Sequence, residues 1–365
     1  MIETKGPGGA ETVFLQLVQG MAARGYGCVA AVTGPGWVKE QLENKGIVPV
    51  LLPTDGSFDL RFLSSIITCI KGHKIDLVHS HLLGANVYAC LAGMLTGRKV
   101  ISTFHGSKDM GDRRSVIHTL KGKIVGRGSS RVVAVSDTLK RELCAGNWLR
   151  PKKVEVIYNG IDIKKFRTDN AKDYRTSIGF AKDELLIGMI GNIRQTKGHD
   201  YFIKSAAIVK ERFPGVKYLI VGHASDEDHE RLVRLAGELG LENTVHFLGF
   251  RQDAHKILSC LDVFVLASTS EGFSIATVEA LAAGIPVVCT RSGGPEEIIT
   301  HEKDGLLVPI RDAGALTEAV CRLLADKELA SRLVGEGLKT AERFSLDRML
   351  DNYEALYAKC LGEAR

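Results

Sequence analysis

The sequence of 365 residues lacks the features that mark several common classes of protein. No apolar run approaches the roughly 20 residues that a membrane-spanning helix needs. The eight cysteines are dispersed and form no C-x-x-C pair, so neither a disulfide framework nor a zinc site is indicated and a cytosolic, reducing compartment is expected. No G-x-G-x-x-G turn follows a predicted strand, which disfavours a dinucleotide-dependent dehydrogenase.

Other chemical signatures are missing as well. No D-x-D-type cluster suited to a Mg²⁺-bridged diphosphate stands out, so no metal or other cofactor is expected. Aromatic residues make up 6% of the chain and are not interleaved with the basic residues, so nucleic acid is not an expected partner. Hydrophobic and charged contents of 45% and 25% are ordinary for a globular protein, and the length favours two domains.

Strand-like and helix-like segments alternate along the whole chain, which predicts an α/β fold of parallel sheets with helices on both faces. We expect one domain over residues 1–165, joined by 346–365, and a second over 166–345, with a hinge near Asn159–Thr168. The expected strands lie near Cys28–Thr33, Ile47–Leu52, Asp76–His81, Val100–His105, Arg131–Ser136, Val154–Tyr158, Leu185–Gly191, Val216–Gly222, Thr244–Gly249, Asp262–Ala267, Ile285–Cys289 and Gly305–Pro309.

The most informative stretch runs from Ser268 to Gly305. A buried strand is expected before it, then a polar loop with Glu271, then a helix that Ser274 caps and that carries Glu279. Gly284 and Pro286 end that helix. The N-terminus of a helix suits a phosphate, and the flanking carboxylates suit sugar or ribose hydroxyls.

Glu271 and Glu279, inside EGFSIATVEALAAGIPVV, resemble the retaining nucleotide-sugar glycosyltransferases of glycosyltransferase family 4. The resemblance covers nearly the whole chain. It implies the GT-B fold: two Rossmann-like domains facing across a cleft, with the C-terminal helix crossing back to the N-terminal domain. It also implies that Glu271 and the amides of Gly272, Phe273 and Ser274 hold the donor sugar, while Glu279 holds the nucleotide ribose.

Further site residues follow from the same resemblance. Lys197 matches the lysine of the family's Lys-Gly pair and is expected to clamp the diphosphate. Asn192 occupies the family's usual arginine position, and Arg194, two residues later, is a candidate for the second positive charge. Gly222 and Gly249 end strands on either side of the expected nucleobase.

Two segments of the first domain complete the expected site. His105 ends a predicted strand and resembles the family's histidine at the donor sugar. Gly8 and Gly9 belong to a Gly-rich turn that resembles the family's loop near the diphosphate and the acceptor. Only Met1–Thr4 precede that turn, where a central strand is expected, so we expect the natural chain to extend upstream. His79 and His81 are left outside the site, because one of them is expected to point into the packing and the other toward the cleft.

The positive charge is concentrated in the first domain. Residues 1–165 carry 23 Lys and Arg against 13 Asp and Glu, and within Arg98–Arg141 the ratio is 11 to 3. The segment Arg113–Arg131 mixes apolar and basic residues at helical spacing. It fits an amphipathic helix that meets anionic lipid, and it equally fits a helix docked on its own domain.

The resemblance implies a retaining, metal-independent transferase that moves a hexosyl unit from a UDP- or GDP-sugar to a glycan or lipid-linked acceptor, as in polysaccharide biosynthesis. No protein nucleophile is needed for retention in this family, and no Ser-His-Asp set is found. Two alternatives remain open: an epimerase of the same architecture, and a non-catalytic subunit that binds nucleotide sugars. We expect a cytoplasmic protein with peripheral membrane contact through Arg98–Arg141.

Overall fold

The structure, a computed structural model, describes residues 1–4, 6–56, 59–106, 115–145, 148–167 and 171–362. The chain divides into two compact units, one formed by Met1–Gly160 with Leu346–Arg365 and the other by Ile161–Ser345. Each of the twelve expected strand segments contains or overlaps a strand, and all strand pairings among the described residues are parallel. The predicted α/β class with two parallel sheets is therefore confirmed.

The first unit alternates short strands and helices. Its strands are Ala31–Val32 (β1), Val50–Leu51 (β2), Leu77–His81 (β3), Lys99–Phe104 (β4), Arg131–Ala134 (β5) and Val154–Val156 (β6). The helices between them are Gly9–Ala23 (α1), Trp37–Glu43 (α2), Leu60–Gly72 (α3), Leu83–Thr96 (α4), Val116–Gly128 (α5) and Asp137–Ala145 (α6). Five of the six residues of β4 are buried, as expected for a parallel strand covered on both faces.

The segment before the Gly-rich turn lies between β1 and β3. Strands β3 to β6 form one ladder in chain order, and β1 pairs with β2. Ile2 forms parallel bridges to Val32 of β1 and to His81 of β3. From Ile2 the chain first forms β1 and β2 on one side of it, and then β3 to β6 on the other side. The strand order of the first unit therefore reverses between Ile2 and β3.

The second unit has a single sheet of six strands. They are Leu186–Ile190 (β7), Lys217–Val221 (β8), Val245–Gly249 (β9), Val263–Leu266 (β10), Val287–Thr290 (β11) and Leu306–Val308 (β12), in the order β12-β11-β10-β7-β8-β9. The helices are Ala171–Ser177 (α7), His199–Arg212 (α8), Asp226–Glu238 (α9), Ala254–Ser259 (α10), Ile275–Ala282 (α11), Pro295–Ile298 (α12), Ala313–Ala325 (α13) and Lys327–Glu342 (α14). Here the strand order reverses between β7 and β10.

The last helix, Leu346–Leu361 (α15), belongs to the first unit. Its apolar face includes Tyr353 and Tyr357, which are 0% and 9% exposed. At its edge, Glu354 accepts a hydrogen bond from Arg24 at the end of α1, with an N–O distance of 2.8 Å. Among the helices of the described residues, none is both long and apolar enough to span a membrane.

The basic amphipathic segment forms helix α5, whose two halves differ in how far they are docked on the first unit. Its C-terminal half is docked, because Val125 is fully buried and Gly122 lies against the ring of Trp148. Its N-terminal half is not, since Val116, Ile117 and Leu120 are 83%, 50% and 53% exposed. Residues 107–114 of the basic stretch lie outside the described residues.

Gly198 fixes the loop that carries Lys197 onto the end of β10. Its φ is +72°, and a Cβ there would lie 2.0 Å from the carbonyl oxygen of Ala267. Gly240 has a similar φ of +63°, but a Cβ there meets nothing within 4 Å. Only the first site combines a left-handed backbone with a closed space.

We expect Gly198→Ala to destabilise the protein more than Gly240→Ala. The left-handed conformation alone costs an alanine about 1–2 kcal/mol, and the contact with the Ala267 carbonyl adds to it only at position 198. Urea denaturation followed by circular dichroism measures both variants. Equal losses of unfolding free energy would show that the close packing at Gly198 is not a constraint.

Candidate functional site

The reversal of strand order between β7 and β10 brings two loops together at the carboxyl ends of these strands. In open parallel sheets this is the position where ligands bind. The loop after β7 contains Lys197, and the loop after β10 contains Glu271. The loops are joined directly, because the N–H of Thr269 donates to the carbonyl of Thr196 at 2.8 Å.

Lys197 and Glu271 form an ion pair in which Nζ lies 2.7 Å from Oε1. Ser268, which is fully buried, donates to the same Oε1 at 2.6 Å. The Glu271 side chain is 8% exposed and that of Lys197 is 27% exposed. Both hydrogen bonds go to Oε1, so among the described residues Oε2 accepts from no protein donor and remains available to a ligand.

A second loop holds the backbone of Glu271 in place. The N–H of Glu271 donates to the carbonyl of Ser292 at 2.8 Å, and the N–H of Gly294 donates to the carbonyl of Glu271 at 3.0 Å. Only glycine fits at position 294, because a Cβ there would lie 2.7 Å from the Cα of Phe273. Glu271 is therefore fixed through both its side chain and its backbone.

Helix α11 starts next to this carboxylate. Ser274 caps it by accepting a hydrogen bond from the N–H of Thr277 at 3.3 Å, as the sequence predicts. Within the described residues, the N–H groups of Gly272 and Ser274 have no protein acceptor. Phe273 between them is buried against Phe344, with ring centroids 5.4 Å apart. The helix start thus offers backbone donors beside an acidic side chain, an arrangement that suits an anion with hydroxyl groups attached.

Glu279 lies on the second turn of α11. Burial among protein atoms raises the pKa of its carboxyl from 4.5 to about 7, and the positive charge of Lys165 acts in the opposite direction. The side chain retains partial exposure. At neutral pH this glutamate is therefore poised between its neutral and ionised forms, so a ligand with hydroxyl donors can favour the carboxylate.

Three further donor-site candidates lie at the ends of neighbouring strands. Gly222 donates its N–H to the carbonyl of Gly249 at 2.9 Å. A Cβ on Gly222 would lie 2.1 Å from the carbonyl oxygen of Gly191, so no side chain fits there. The Asn192 side chain accepts from the N–H of His223 at 3.3 Å. Arg194 is exposed, and the structure does not bring its guanidinium to Glu271.

In the first unit, the Gly-rich turn begins α1. Gly8 occupies the N-cap position with an extended backbone, and Gly9 is the first helical residue. The carboxylate of Glu11 takes the space beside Gly8, since a Cβ on Gly8 would lie 2.4 Å from Oε2 of Glu11. The turn is therefore shaped around a buried acidic residue of its own helix.

Three histidines of the first unit stack on one another. The ring centroids of His79 and His81 are 4.4 Å apart, and those of His81 and His105 are 5.2 Å apart. The expectation that His79 and His81 point to opposite sides is wrong. They are two residues apart on β3, and residues i and i+2 of a strand share one face. Nδ1 of His81 lies 2.9 Å from Nε2 of His105.

Burial keeps all three imidazoles neutral. It lowers the pKa of His105 to about 3, and it lowers the pKa of His79 and of His81 well below the usual 6.5. Repulsion from the Met1 amine and from His105 also lowers the pKa of His79, and repulsion from His79, His105 and the Met1 amine also lowers the pKa of His81. His105 is thus a neutral hydrogen-bonding group, which matches a sugar hydroxyl better than an anion. No group of three or more His, Cys, Asp or Glu suited to a metal ion occurs in the part of the chain that the structure describes.

Two family models match this chain: Glycosyltransferase Family 4 over residues 7–165 and Glycosyl transferases group 1 over residues 170–340. The glycosyltransferase MJ1607 of Methanocaldococcus jannaschii is 32% identical to it over 290 residues, which are 76% of this chain and 73% of that protein. The chain belongs to the glycosyltransferases.

More distant relatives and solved structures agree with this assignment. The UDP-Gal:alpha-D-GlcNAc-diphosphoundecaprenol alpha-1,3-galactosyltransferase of Escherichia coli is 27% identical over 308 residues, which cover 82% of this chain and 79% of that enzyme. Anabaena HepE in complex with UDP-glucose has a TM-score of 0.88 at 22% sequence identity and covers 98% of both chains. That likeness shows the GT-B fold for this glycosyltransferase.

Two residues outside the predicted site, Ser268 and His81, contact its candidate residues in the structure. Ser268 bonds to Glu271, yet a serine at the end of a strand carries no distinctive signal. His81 contacts His105, and this contact was predictable in part, because β3 and β4 pair in parallel, His81 ends β3 and His105 directly follows β4.

We expect Glu279→Gln to stabilise the unliganded glycosyltransferase at about pH 8 and to have little effect below about pH 4.5. The pKa of Glu279 in the folded state, about 7, lies above its ordinary value of 4.5. The wild type therefore loses stability as the pH rises through this window, by up to about 3 kcal/mol, and the variant does not.

Thermal denaturation at several pH values measures this effect. The control is Glu238→Gln, which changes an exposed glutamate of α9. A stabilisation by Glu279→Gln that is the same at acidic and at basic pH would contradict the raised pKa.

Proposed function

We propose that this glycosyltransferase transfers a hexosyl unit from a UDP-sugar to a glycan or lipid-linked acceptor, with retention of the anomeric configuration and without a metal ion. The observation that carries the proposal is the pairing of Lys197 and Glu271 beside the first amides of α11. The UDP class is supported by the E. coli relative, named as a UDP-Gal-dependent transferase, and by HepE with UDP-glucose. A GDP-sugar is the alternative donor.

The leaving group is a diphosphate, whose negative charge increases as the anomeric C–O bond breaks. Lys197 has three N–H donors and uses one for Glu271, so it can also bind a phosphate oxygen. The N–H groups at the start of α11 add partial positive charge at the same place. Arg194, exposed in the same loop as Lys197, is proposed as a further cation for the diphosphate. This set of donors can stabilise the departing diphosphate.

The hydroxyl groups of the donor need acceptors on both sides of the phosphates. We assign the sugar hydroxyls to Oε2 of Glu271 and the ribose hydroxyls to Glu279. Asn192, Gly222 and Gly249 then lie on the nucleobase side of the site, where close backbone approach matters more than side-chain chemistry. From the first unit, His105 is the proposed ligand of the sugar, and the turn of Gly8 and Gly9 serves the diphosphate and the acceptor.

Retention requires the acceptor to attack from the face that the diphosphate leaves. The departing phosphate oxygen then takes the proton of the acceptor hydroxyl, so no protein nucleophile takes part. In this step the anomeric carbon loses its bond to the phosphate oxygen and gains a bond to the acceptor oxygen. Lys197 and the amides of α11 stay in contact with the phosphate throughout.

For the acceptor side, we propose peripheral contact of α5 with an anionic membrane surface at the cytoplasmic face. Val116, Ile117 and Leu120 expose apolar surface, and Lys121 and Lys123 lie on the same helix. Apolar and basic residues on one helix whose N-terminal half is exposed support binding to anionic lipid. All eight cysteines are free thiols, which fits a reducing compartment.

The donor assignment predicts a thermal shift with UDP and UDP-glucose that is larger than the shift with GDP- or ADP-sugars. A ligand at about 100 times its Kd adds about 2.7 kcal/mol, which corresponds to several degrees in Tm. Lys197→Ala and Glu279→Ala should abolish most of this shift. The matched controls Lys303→Ala and Glu238→Ala change exposed residues of the same unit and should keep it. A folded wild type that responds to no nucleotide sugar would refute the proposed donor.

The membrane proposal predicts co-sedimentation with vesicles rich in phosphatidylglycerol and not with phosphatidylcholine alone. High salt should weaken the binding, because it screens the basic residues. Ile117→Ser with Leu120→Ser should reduce the bound fraction severalfold. Val233→Ser, which changes an apolar residue of α9 with 44% exposure, is the control and should leave it unchanged. Equal binding to both kinds of vesicle would overturn the proposal.

A further inference from the structure

His79 is the fixed end of the histidine stack in the first unit. Its Nδ1 lies 2.7 Å from the hydroxyl of Tyr357 on α15, and its Nε2 lies 2.7 Å from Oγ1 of Thr103 on β4. Tyr353 of α15 packs against the same ring at a centroid distance of 5.3 Å. With both nitrogens bonded and one face covered, His79 offers a rigid surface on which the next ring stacks.

His81 lies between this surface and His105. The residue is 1% exposed, and the ring centroids of His79 and Phe14 lie 4.4 Å and 5.6 Å from that of His81. It reaches His105 through the bond between its Nδ1 and Nε2 of His105, at 2.9 Å. The orientation of His105 is therefore tied to a side chain that has little freedom of its own.

The bond also links the protonation of the two rings. Each neutral imidazole carries one N–H, and a hydrogen bond between two ring nitrogens needs one N–H and one bare nitrogen. If His81 donates from Nδ1, Nε2 of His105 is bare and the His105 proton is on Nδ1. If His105 donates from Nε2, Nδ1 of His81 is bare and the His81 proton is on Nε2. The two rings must therefore share the same tautomer.

We propose that His81 is a positioning residue that sets both the ring orientation and the tautomer of His105. This inference rests on the proposed function, in which His105 contacts the donor sugar. His81 acts through His105 and does not touch the sugar. Its effect on the reaction is to decide whether Nδ1 of His105 is a donor or an acceptor, and to hold the ring in one place before the sugar arrives.

Long-range ¹H–¹⁵N NMR of the full chain labelled at histidine tests the proton link without any substrate. At neutral pH both rings should show the same tautomer, in the same ratio if two states exchange. In His81→Phe, which keeps an aromatic ring on His79, the His105 signal should change its tautomer ratio. Opposite tautomers for His81 and His105 in the wild type would overturn the proposal, and this result does not depend on the donor assignment.

Binding and turnover test the effect on the reaction. In His81→Phe, UDP release from UDP-glucose should fall about tenfold or more, while the Kd for UDP, which lacks the glucosyl group, should stay within about twofold. His81→Asn should restore much of the rate, because the amide can donate or accept near the position of Nδ1. The control His73→Phe replaces an exposed histidine of the same unit and should leave the rate unchanged.

An unchanged rate in His81→Phe would contradict the positioning role, as would a loss that His81→Asn does not restore. A wild type that binds neither UDP nor UDP-glucose would instead refute the donor assignment. In that case the tautomers in the NMR spectrum still decide whether His81 controls His105.

Discussion

The ion pair between Lys197 and Glu271 is the interaction on which the rest of this site depends. It exists because the strand order reverses between β7 and β10, which places the two loops at neighbouring carboxyl ends. Its carboxylate is held by Ser268 and by the loop of Ser292 and Gly294, so the pair stays organised without a ligand. Such preorganisation lets the site stabilise charge on a leaving group without rearranging first.

The two units divide the chemistry between charged and neutral groups. The second unit holds the cation and the carboxylates that suit phosphates and ribose. The first unit holds imidazoles that burial keeps neutral and that suit hydroxyl groups. This division follows from burial, which disfavours the charged imidazolium form of His79, His81 and His105.

Much of the architecture was predictable from sequence, because parallel strands covered on both faces appear as short apolar runs between helical segments. The runs near Cys28–Thr33 and Ile47–Leu52 contain strands of only two residues, since each pairs with the other over two positions. The capping role of Ser274 was predictable because a cap is a local property of the chain. The bond of Ser268 to Glu271 was not, because it depends on the direction of a side chain. The shared face of His79 and His81 was predictable from their spacing of two residues, so the expectation of opposite faces was an error of inference.

Binding of the diphosphate by Lys197 and the start of α11 is tested most sharply by calorimetry with UDP and UMP, because the two nucleotides differ only in the terminal phosphate. We expect Lys197→Met to reduce the preference for UDP over UMP. Glu279→Gln should weaken both nucleotides equally, since both carry the same ribose. A UDP preference that Lys197→Met leaves unchanged would show that Lys197 does not bind the diphosphate.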